Sequence, residues 1–353
     1  MRYYFTSFGR AAKDKPFGGK FPYYAAMAKY LVTGIAGFIG SNLARALLAR
    51  GEEVRGLDNF CTGKRENLAE VLDRVDFREC DLLDLEGVRQ ACQGVDYVLH
   101  QGALASVPRS LTDPLSTNRS NVDGTLNLLV AAREAKVKRV VFAASSSAYG
   151  DTPTLPKRED MRSTPISPYA VSKLAGEFYM QCFARAYGLE TVCLRYFNIF
   201  GPRQDPNSPY SGVLARFISF MLSGQQPVIY GDGEQSRDFT YVENAVAANL
   251  LACTAPAAQV VGRIFNVATG YQATLNHTLA ALRRIIGYQG PVQYQGERAG
   301  DIKHSFADIS AAEKYLGYRV AVGFEEGLKR TVDWYREQMA VARQPEQAVE
   351  GRG

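Results

Sequence analysis

The sequence predicts an α/β protein with a doubly wound parallel sheet covered by helices on both faces and a smaller, mixed α/β lobe toward the C-terminus. Three observations carry this. Short apolar runs alternate with amphipathic stretches from Lys29 to about Tyr196, and strands that alternate with helices in this way run parallel, each crossover helix returning the chain to the start of the next strand. A glycine-rich turn, Gly34-Ile35-Ala36-Gly37-Phe38-Ile39-Gly40, joins the first strand to the first helix. Beyond Gly201 the alternation breaks into loops, prolines, tyrosines and short strands.

Taken in order, residues 1–27 mix aromatic and basic side chains with Gly and Pro and show no strand or helix period. They lack the apolar core of a secretory signal, and we expect an extension outside the fold, with an organelle transit peptide as the alternative. Residues 30–33 form the first strand and 41–50 the first helix. Residues 53–57 form a second strand ending at Asp58, and 75–77 a third. Residues 85–92 read as a helix despite Gly87, which weakens a helix interior. Strands follow at 95–99 and 139–143, separated by a helix at 121–135. Pro168 opens a long helix over 168–187, because proline suits a first helical turn, and 191–194 form the next strand. The expected division is a dinucleotide-binding part over 28–198 with a returning segment near 237–268, a substrate-binding lobe from 199–236 and 269–338, and a flexible polar tail at 339–353.

Hydrophobic residues make up 46% of the 353 and charged residues 22%, an ordinary globular composition. The net charge of +5 is scattered, with Lys and Arg often beside Asp or Glu. That suits an anionic small substrate and argues against nucleic acid as a partner. No apolar run reaches the length of a membrane span. The six cysteines lack CxxC spacing, so neither a structural zinc nor a disulfide framework is expected; reduced thiols point to a cytoplasmic protein, and no metal is expected.

The glycine turn has GxxGxxG spacing, which lets the chain turn tightly and brings backbone N–H groups and a helix N-terminus up to a pyrophosphate. Asp58 stands 24 positions after Gly34, at a strand end where a carboxylate accepts hydrogen bonds from an adenosine ribose. The same carboxylate repels a 2′-phosphate, so NAD is expected rather than NADP. Asp81 and Leu82 are placed to meet the adenine, and Gln101, Gly102 and Ala103 are small enough for close cofactor approach. These strand ends together indicate a Rossmann-type dinucleotide site.

Tyr169 and Lys173 sit four apart on the long helix and share one face. A free phenol has a pKa of about 10, and a nearby ammonium favours its phenolate; Lys173 is expected to help lower it. Ser145, Ser146 and Ser147 follow the fifth strand, at the carboxyl edge of the sheet where such folds bind ligands. Ser145 is assigned to hydrogen-bond a reacting hydroxyl.

Gly34, Gly37, Gly40, Asp58, Ser145, Tyr169 and Lys173 together resemble the extended short-chain dehydrogenase/reductase family. Arg195 to Pro202, Ser236 to Phe239 and Arg298 to Asp301 resemble its nucleotide-sugar members, and His100 to Ser110 resembles the 4-epimerases of UDP-N-acetylglucosamine and UDP-glucose most closely. The resemblance runs from about Lys29 to Trp334. It departs where Gly102 stands in place of the usual Ala and Ala105 in place of the usual Gly. It implies bound NAD, epimerisation at C4 of a UDP-sugar through a transient 4-keto form, and Tyr169 as the group that takes the hydroxyl proton.

The resemblance also assigns Phe38, Ile39, Asn59, Asn121 and Tyr196 to the cofactor, and Ser106, Ser147, Asn198, Gly212, Val228, Tyr230, Arg237, Arg298, Asp301 and Ser305 to the substrate. Arg237 and Arg298 suit a diphosphate, which guanidinium pairs bidentately. Ser305 stands where glucose-restricted relatives carry a tyrosine, which implies room for a 2-acetamido group; UDP-N-acetylhexosaminuronates fit the same motifs. Ser146, Ser147 and Ala148 supply no acid for a dehydratase, and the Tyr/Lys pair argues against a non-catalytic NAD sensor. A homodimer through the helices at 121–135 and 168–187 is implied.

Overall fold

The computed structural model describes residues 27–206, 212–296 and 303–350. The chain begins with β1 (Lys29–Thr33), α1 (Phe38–Ala49), β2 (Glu53–Asp58), β3 (Asp76–Glu79), α2 (Leu85–Cys92) and β4 (Tyr97–His100). Two short helices, α3 (Val107–Thr112) and α4 (Pro114–Asn118), then lead through a π turn at Arg119–Asp123 into α5 (Gly124–Glu134), β5 (Arg139–Ser145), α6 (Pro168–Tyr187) and β6 (Glu190–Tyr196). The rest of the chain forms β7 (Ile199–Phe200), α7 (Val213–Leu222), β8 (Val228–Tyr230), β9 (Ser236–Arg237), β10 (Thr240–Tyr241), α8 (Val242–Thr254), α9 (Ala257–Val260) and β11 (Arg263–Val267). It ends with β12 (Ala273–Thr274), α10 (Leu275–Ile286), β13 (Gln293–Gln295), β14 (His304–Ser305), α11 (Ser310–Leu316) and α12 (Phe324–Glu350).

Seven strands form one sheet in the order β11-β6-β5-β4-β1-β2-β3, every neighbouring pair parallel. This is the doubly wound arrangement, and β5 and β6 read as near-continuous apolar runs because both faces are covered. Along β1, Tyr30 and Val32 pack with α1 and α8, while Leu31 packs with α2, α5 and α6. A third core, with Phe200, Phe217, Phe239, Leu282 and Leu328, holds the C-terminal elements together. The chain order reverses between β1 and β4, so a crevice opens at their carboxyl ends.

Local chemistry sets the helix ends. Ser167 caps α6 by accepting a hydrogen bond from the Ala170 N–H at 3.2 Å, Pro168 opens its first turn, and Gly188 closes it with φ +68°. α2 tolerates Gly87 because a Cβ there would lie 2.5 Å from the Cys80 Sγ, and the Gly87 N–H donates to the Asp84 cap.

Three expectations change. The helix expected at 121–135 begins with the π turn and is preceded by α3 and α4. The segment after Gly201 is richer in helix than its prolines and tyrosines imply, because α7 and α10 bury one apolar face each. Residues 339–350, read as tail, continue α12, in a run rich in the helix formers Ala, Gln and Glu. Among the described residues no helix is long and apolar enough to cross a membrane, and no group of side chains is arranged to hold a metal ion.

Candidate active site

A cleft of about 920 Å³ runs along the carboxyl edge of the sheet. Its floor begins at Gly34, whose φ of +66° lies in the left-handed region; a Cβ there would approach the Gly102 Cα to 2.7 Å. At Gly40 a Cβ would overlap the Gly34 carbonyl oxygen, so α1 can rest directly on the turn. Gly37 stands at the N-cap of α1 and offers no side-chain cap, whereas α2, α3, α6 and α10 are capped by Asp84, Ser106, Ser167 and Thr274. The bare N-terminus of α1 lines the cleft through Gly37, Phe38, Ile39 and Gly40.

The Asp58 carboxylate accepts hydrogen bonds from the Ala36 N–H at 2.9 Å and the Phe60 N–H at 2.8 Å. Burial nonetheless holds its pKa above the ordinary carboxylate value. Beside it the Asn59 amide donates to Asp81 at 2.6 Å. Across the cleft the Tyr196 hydroxyl donates to Gln101 at 3.2 Å and accepts from Asn249 at 2.6 Å, while Gln101 donates to Asn249 at 3.1 Å. That closed set fixes one wall.

At the far end Ser145 terminates β5 and accepts the Ser147 hydroxyl at 2.8 Å. Tyr169 is half-buried, with its phenol against the Ser145 hydroxyl; burial raises its pKa and the Ser145 hydrogen bond opposes that rise. The Lys173 ammonium donates to the Ala143 carbonyl at 2.9 Å, and burial lowers its pKa to about 8, with the Glu177 carboxylate acting in the other direction. Desolvation penalises the charged form of both groups, and the Ser145 hydrogen bond opposes that penalty at Tyr169.

Of the residues assigned from sequence, Gly34, Gly37, Phe38, Ile39, Gly40, Asp58, Asn59, Asp81, Leu82, Gln101, Gly102, Ala103, Ser106, Ser145, Tyr169, Lys173, Tyr196, Asn198 and Gly212 line this one cleft. Val228, Tyr230 and Arg237 join Asn198 and Gly212 in an adjoining cavity of about 270 Å³. Three lie in neither wall. Asn121 is 2% exposed, and its amide is turned inward to Leu104 and Ser172. Ser147 reaches the site through Ser145, and Ser305 pairs in register with Arg237 on β9. Arg298 and Asp301 lie outside the described residues.

Sequence reasoning missed Lys64, Arg109, Ser120, Arg203 and Asp205, which also line the cleft. Lys64 and Asp205 form an ion pair at 2.9 Å, joining the loop after β2 to the loop after β7. No local pattern announces a contact between segments so far apart.

Residues 30–268 match the family described as NAD dependent epimerase/dehydratase. The chain belongs to that family. It is 37% identical to a putative UDP-glucose 4-epimerase of Methanocaldococcus jannaschii over 87% of this chain and 98% of that protein. Among solved structures it is similar to a UDP-N-acetylglucosamine 4-epimerase of Methanobrevibacter ruminantium, in complex with UDP-N-acetylmuramic acid, at 41% identity and a TM-score of 0.84 over 89% of this chain and all of that one. A UDP-glucose 4-epimerase of Thermotoga maritima, with UDP-glucose, matches at 38% identity and a TM-score of 0.84 over 88% of this chain and 99% of that one.

This NAD dependent epimerase/dehydratase family enzyme has a site that fits its cofactor. The uncapped N-terminus of α1 suits a pyrophosphate, Asp58 would take the adenosine ribose, and Asp81 and Leu82, also in the cleft wall, would face the adenine. Gln101, Gly102, Ala103, Tyr196 and Lys173 would hold the nicotinamide half.

Proposed function

We propose that this enzyme epimerises a UDP-sugar at C4, with UDP-N-acetylglucosamine and UDP-N-acetylgalactosamine as its substrate pair. The observation that carries this reading is the convergence of Ser145, Tyr169 and Lys173 at one end of the dinucleotide cleft, beside a second cavity bearing Tyr230 and Arg237. When bound, NAD would supply the hydride acceptor and donor for C4, and its positive charge would offset the desolvation of the phenolate.

The chain's own groups handle the proton. Ser145 orients the sugar hydroxyl, and Tyr169, held by Ser145, takes its proton and gives it back. Lys173 holds the nicotinamide ribose. The uridine would occupy the smaller cavity, between Phe217, Phe220 and Leu275, with Arg237 toward the diphosphate. Ser305 pairs with Arg237 on the neighbouring strand but lines neither cavity; its assignment to the side of a 2-acetamido group comes from the resemblance. A second reading, a C6-carboxylated substrate, draws on Arg109, a cation in the cleft wall one turn along α3 from Ser106.

The test is to incubate the protein, without added NAD, with UDP-N-acetylglucosamine, UDP-glucose or the N-acetylated uronate, and to resolve the products. Formation of UDP-N-acetylgalactosamine supports the reading. Conversion of UDP-glucose or the uronate alone keeps the mechanism and overturns the substrate assignment. No conversion of any of the three, even with NAD supplied, overturns the reading altogether.

A homodimer is part of this proposal. On α6, one of the two helices expected at the interface, Val171 and Phe178 are each more than half exposed, as are Leu111 and Leu115 on α3 and α4, apolar surface that a second copy would cover. A Phe178→Glu variant that stays dimeric in light scattering would overturn this arrangement.

A further inference from the structure

His100 closes β4 beneath the cleft and is 1% exposed, yet it belongs to neither the cofactor wall nor the reacting groups. Its Nδ1 lies 2.7 Å from the Thr33 hydroxyl and its Nε2 lies 3.0 Å from the Thr125 hydroxyl. Each hydroxyl has one hydrogen to give. Thr125 donates to the Asn121 carbonyl at 2.6 Å, so toward His100 it can only accept, and Nε2 must carry a proton. The Thr33 oxygen accepts the Gly102 N–H at 3.1 Å, and its own hydrogen finds its acceptor at Nδ1.

The neutral Nε2–H tautomer therefore satisfies every partner at once. An imidazolium would leave the Thr33 hydrogen without a place. The charged group facing His100 is the Lys173 ammonium, on the other side of the Phe142 ring: the His100 and Phe142 ring centres are 5.5 Å apart, and Lys173 Nζ is 4.9 Å from the Phe142 centre. Burial and that neighbour push the imidazole pKa down to about 3, so it stays neutral.

The run continues beyond the ring. Asn121 accepts the Leu104 N–H at 2.7 Å, donates to the Leu104 carbonyl at 3.2 Å and donates to the Ser172 hydroxyl at 2.9 Å. Ser172 donates to the Tyr169 carbonyl at 2.8 Å. Thr33, Thr125, Asn121 and Ser172 are all buried. Two runs of hydrogen bonds of defined direction thus meet at Asn121, one ending on its main-chain carbonyl and the other starting from its side-chain amide, and through that residue they join the Gly102 N–H in the cofactor wall to the backbone of the reacting tyrosine.

We propose that His100, as the neutral Nε2–H tautomer, is a positioning residue that sets the catalytic helix at a fixed distance from the cofactor cradle. It touches neither substrate nor cofactor. The proposal rests on the epimerase reading for its functional half, since hydride and proton transfer at one carbon require Gly102 and Tyr169 to be held together within a fraction of an ångström.

Two measurements test it. The chain has three histidines, His100, His277 and His304, so long-range proton–nitrogen spectra of the whole protein, labelled at histidine, distinguish their tautomers. The expected result is a protonated Nε2 and a bare Nδ1 at His100, unchanged from about pH 5 to 9, the range in which an ordinary histidine titrates. A proton on Nδ1, or titration in that range, overturns the proposal.

For turnover, Thr125→Val keeps the shape and removes the acceptor, Thr125→Ser restores it, and Ser172→Ala cuts the run at its other end without disturbing β4. The valine and alanine variants should lose roughly 10- to 100-fold in kcat with KM unchanged, and the serine variant should recover it. Wild-type kcat in both Thr125→Val and Ser172→Ala overturns the proposal. If Thr125→Val melts early, Ser172→Ala decides alone. An inactive wild type would sink the epimerase reading instead, and the tautomer measurement would still decide for His100.

Discussion

Two helices point at the same cleft and serve it with opposite parts of the chain. α1 contributes backbone: its N-cap is Gly37, no side chain caps it, and its first turn lines the cleft. α6 contributes side chains: Ser167 caps it, and Tyr169 and Lys173 stand one turn apart on the face toward the site. A backbone site works by excluding Cβ atoms, so Gly34 and Gly40 can hardly be replaced. A side-chain site needs particular atoms at particular heights, and its helix can be capped like any other.

The comparison can be broken most sharply at Tyr169. Tyr169→Phe should lower turnover by roughly 100- to 10,000-fold while the bound nucleotide, released by heat and quantified, stays at the wild-type level. Gly40→Ala should do the reverse of this pattern in kind. Its methyl group overlaps the Gly34 carbonyl, which costs about 1–3 kcal/mol, and nucleotide content should fall with the melting temperature. A phenylalanine variant without nucleotide, or an alanine variant with its full share, would erase the distinction between the helices.

A subtler effect concerns Lys173. Its amine titrates near 8 in the folded protein and near 10.4 when unfolded. Between those values the unfolded chain binds more protons, so this group's contribution to stability is least favourable below about pH 8 and improves as pH rises toward 10.4. Lys173→Met removes that dependence. Relative to wild type, the variant should be most stable near neutral pH and lose its advantage across that window. Melts at about pH 7 and about pH 10 that differ equally would mean the ammonium is well solvated. Smallest of all, Ser167→Ala should destabilise the fold by about 1 kcal/mol, the worth of a cap, and leave nucleotide content alone.

Legibility in the sequence followed the same division. The spans of α2 and α6 were readable to the residue; Pro168 marks the start of α6 in the sequence, and the structure adds the caps Asp84, Ser167 and Gly188 at their ends. The glycine turn, Asp58 and the Tyr169/Lys173 pair were readable for the same reason, each being a short-range pattern tied to a strand end or a helix face. Asn121 was assigned to the cofactor, but it faces inward because its partners, Leu104 and Ser172, lie 17 and 51 positions away. The Lys64–Asp205 pair and the His100 hydrogen bonds to Thr33 and Thr125 were hidden by the same distance. The desolvation that sets the Tyr169 and Lys173 pKa values exists only once the helix is packed.

The seventh strand of the main sheet, β11, is separated from its neighbour β6 by the whole stretch that carries β7 to α9. A ribosome adding about 5–20 residues per second therefore leaves the apolar margin of β6 without its neighbour for several seconds. A fragment ending at Phe200 would keep Gly34, Asp58, Tyr169 and Lys173 and still present that margin to other chains, the kind of open strand that invites aggregation. The half of the molecule that would hold the nucleotide cofactor cannot finish folding until much of the other half has been synthesised, so excising it as an independent module should yield insoluble protein.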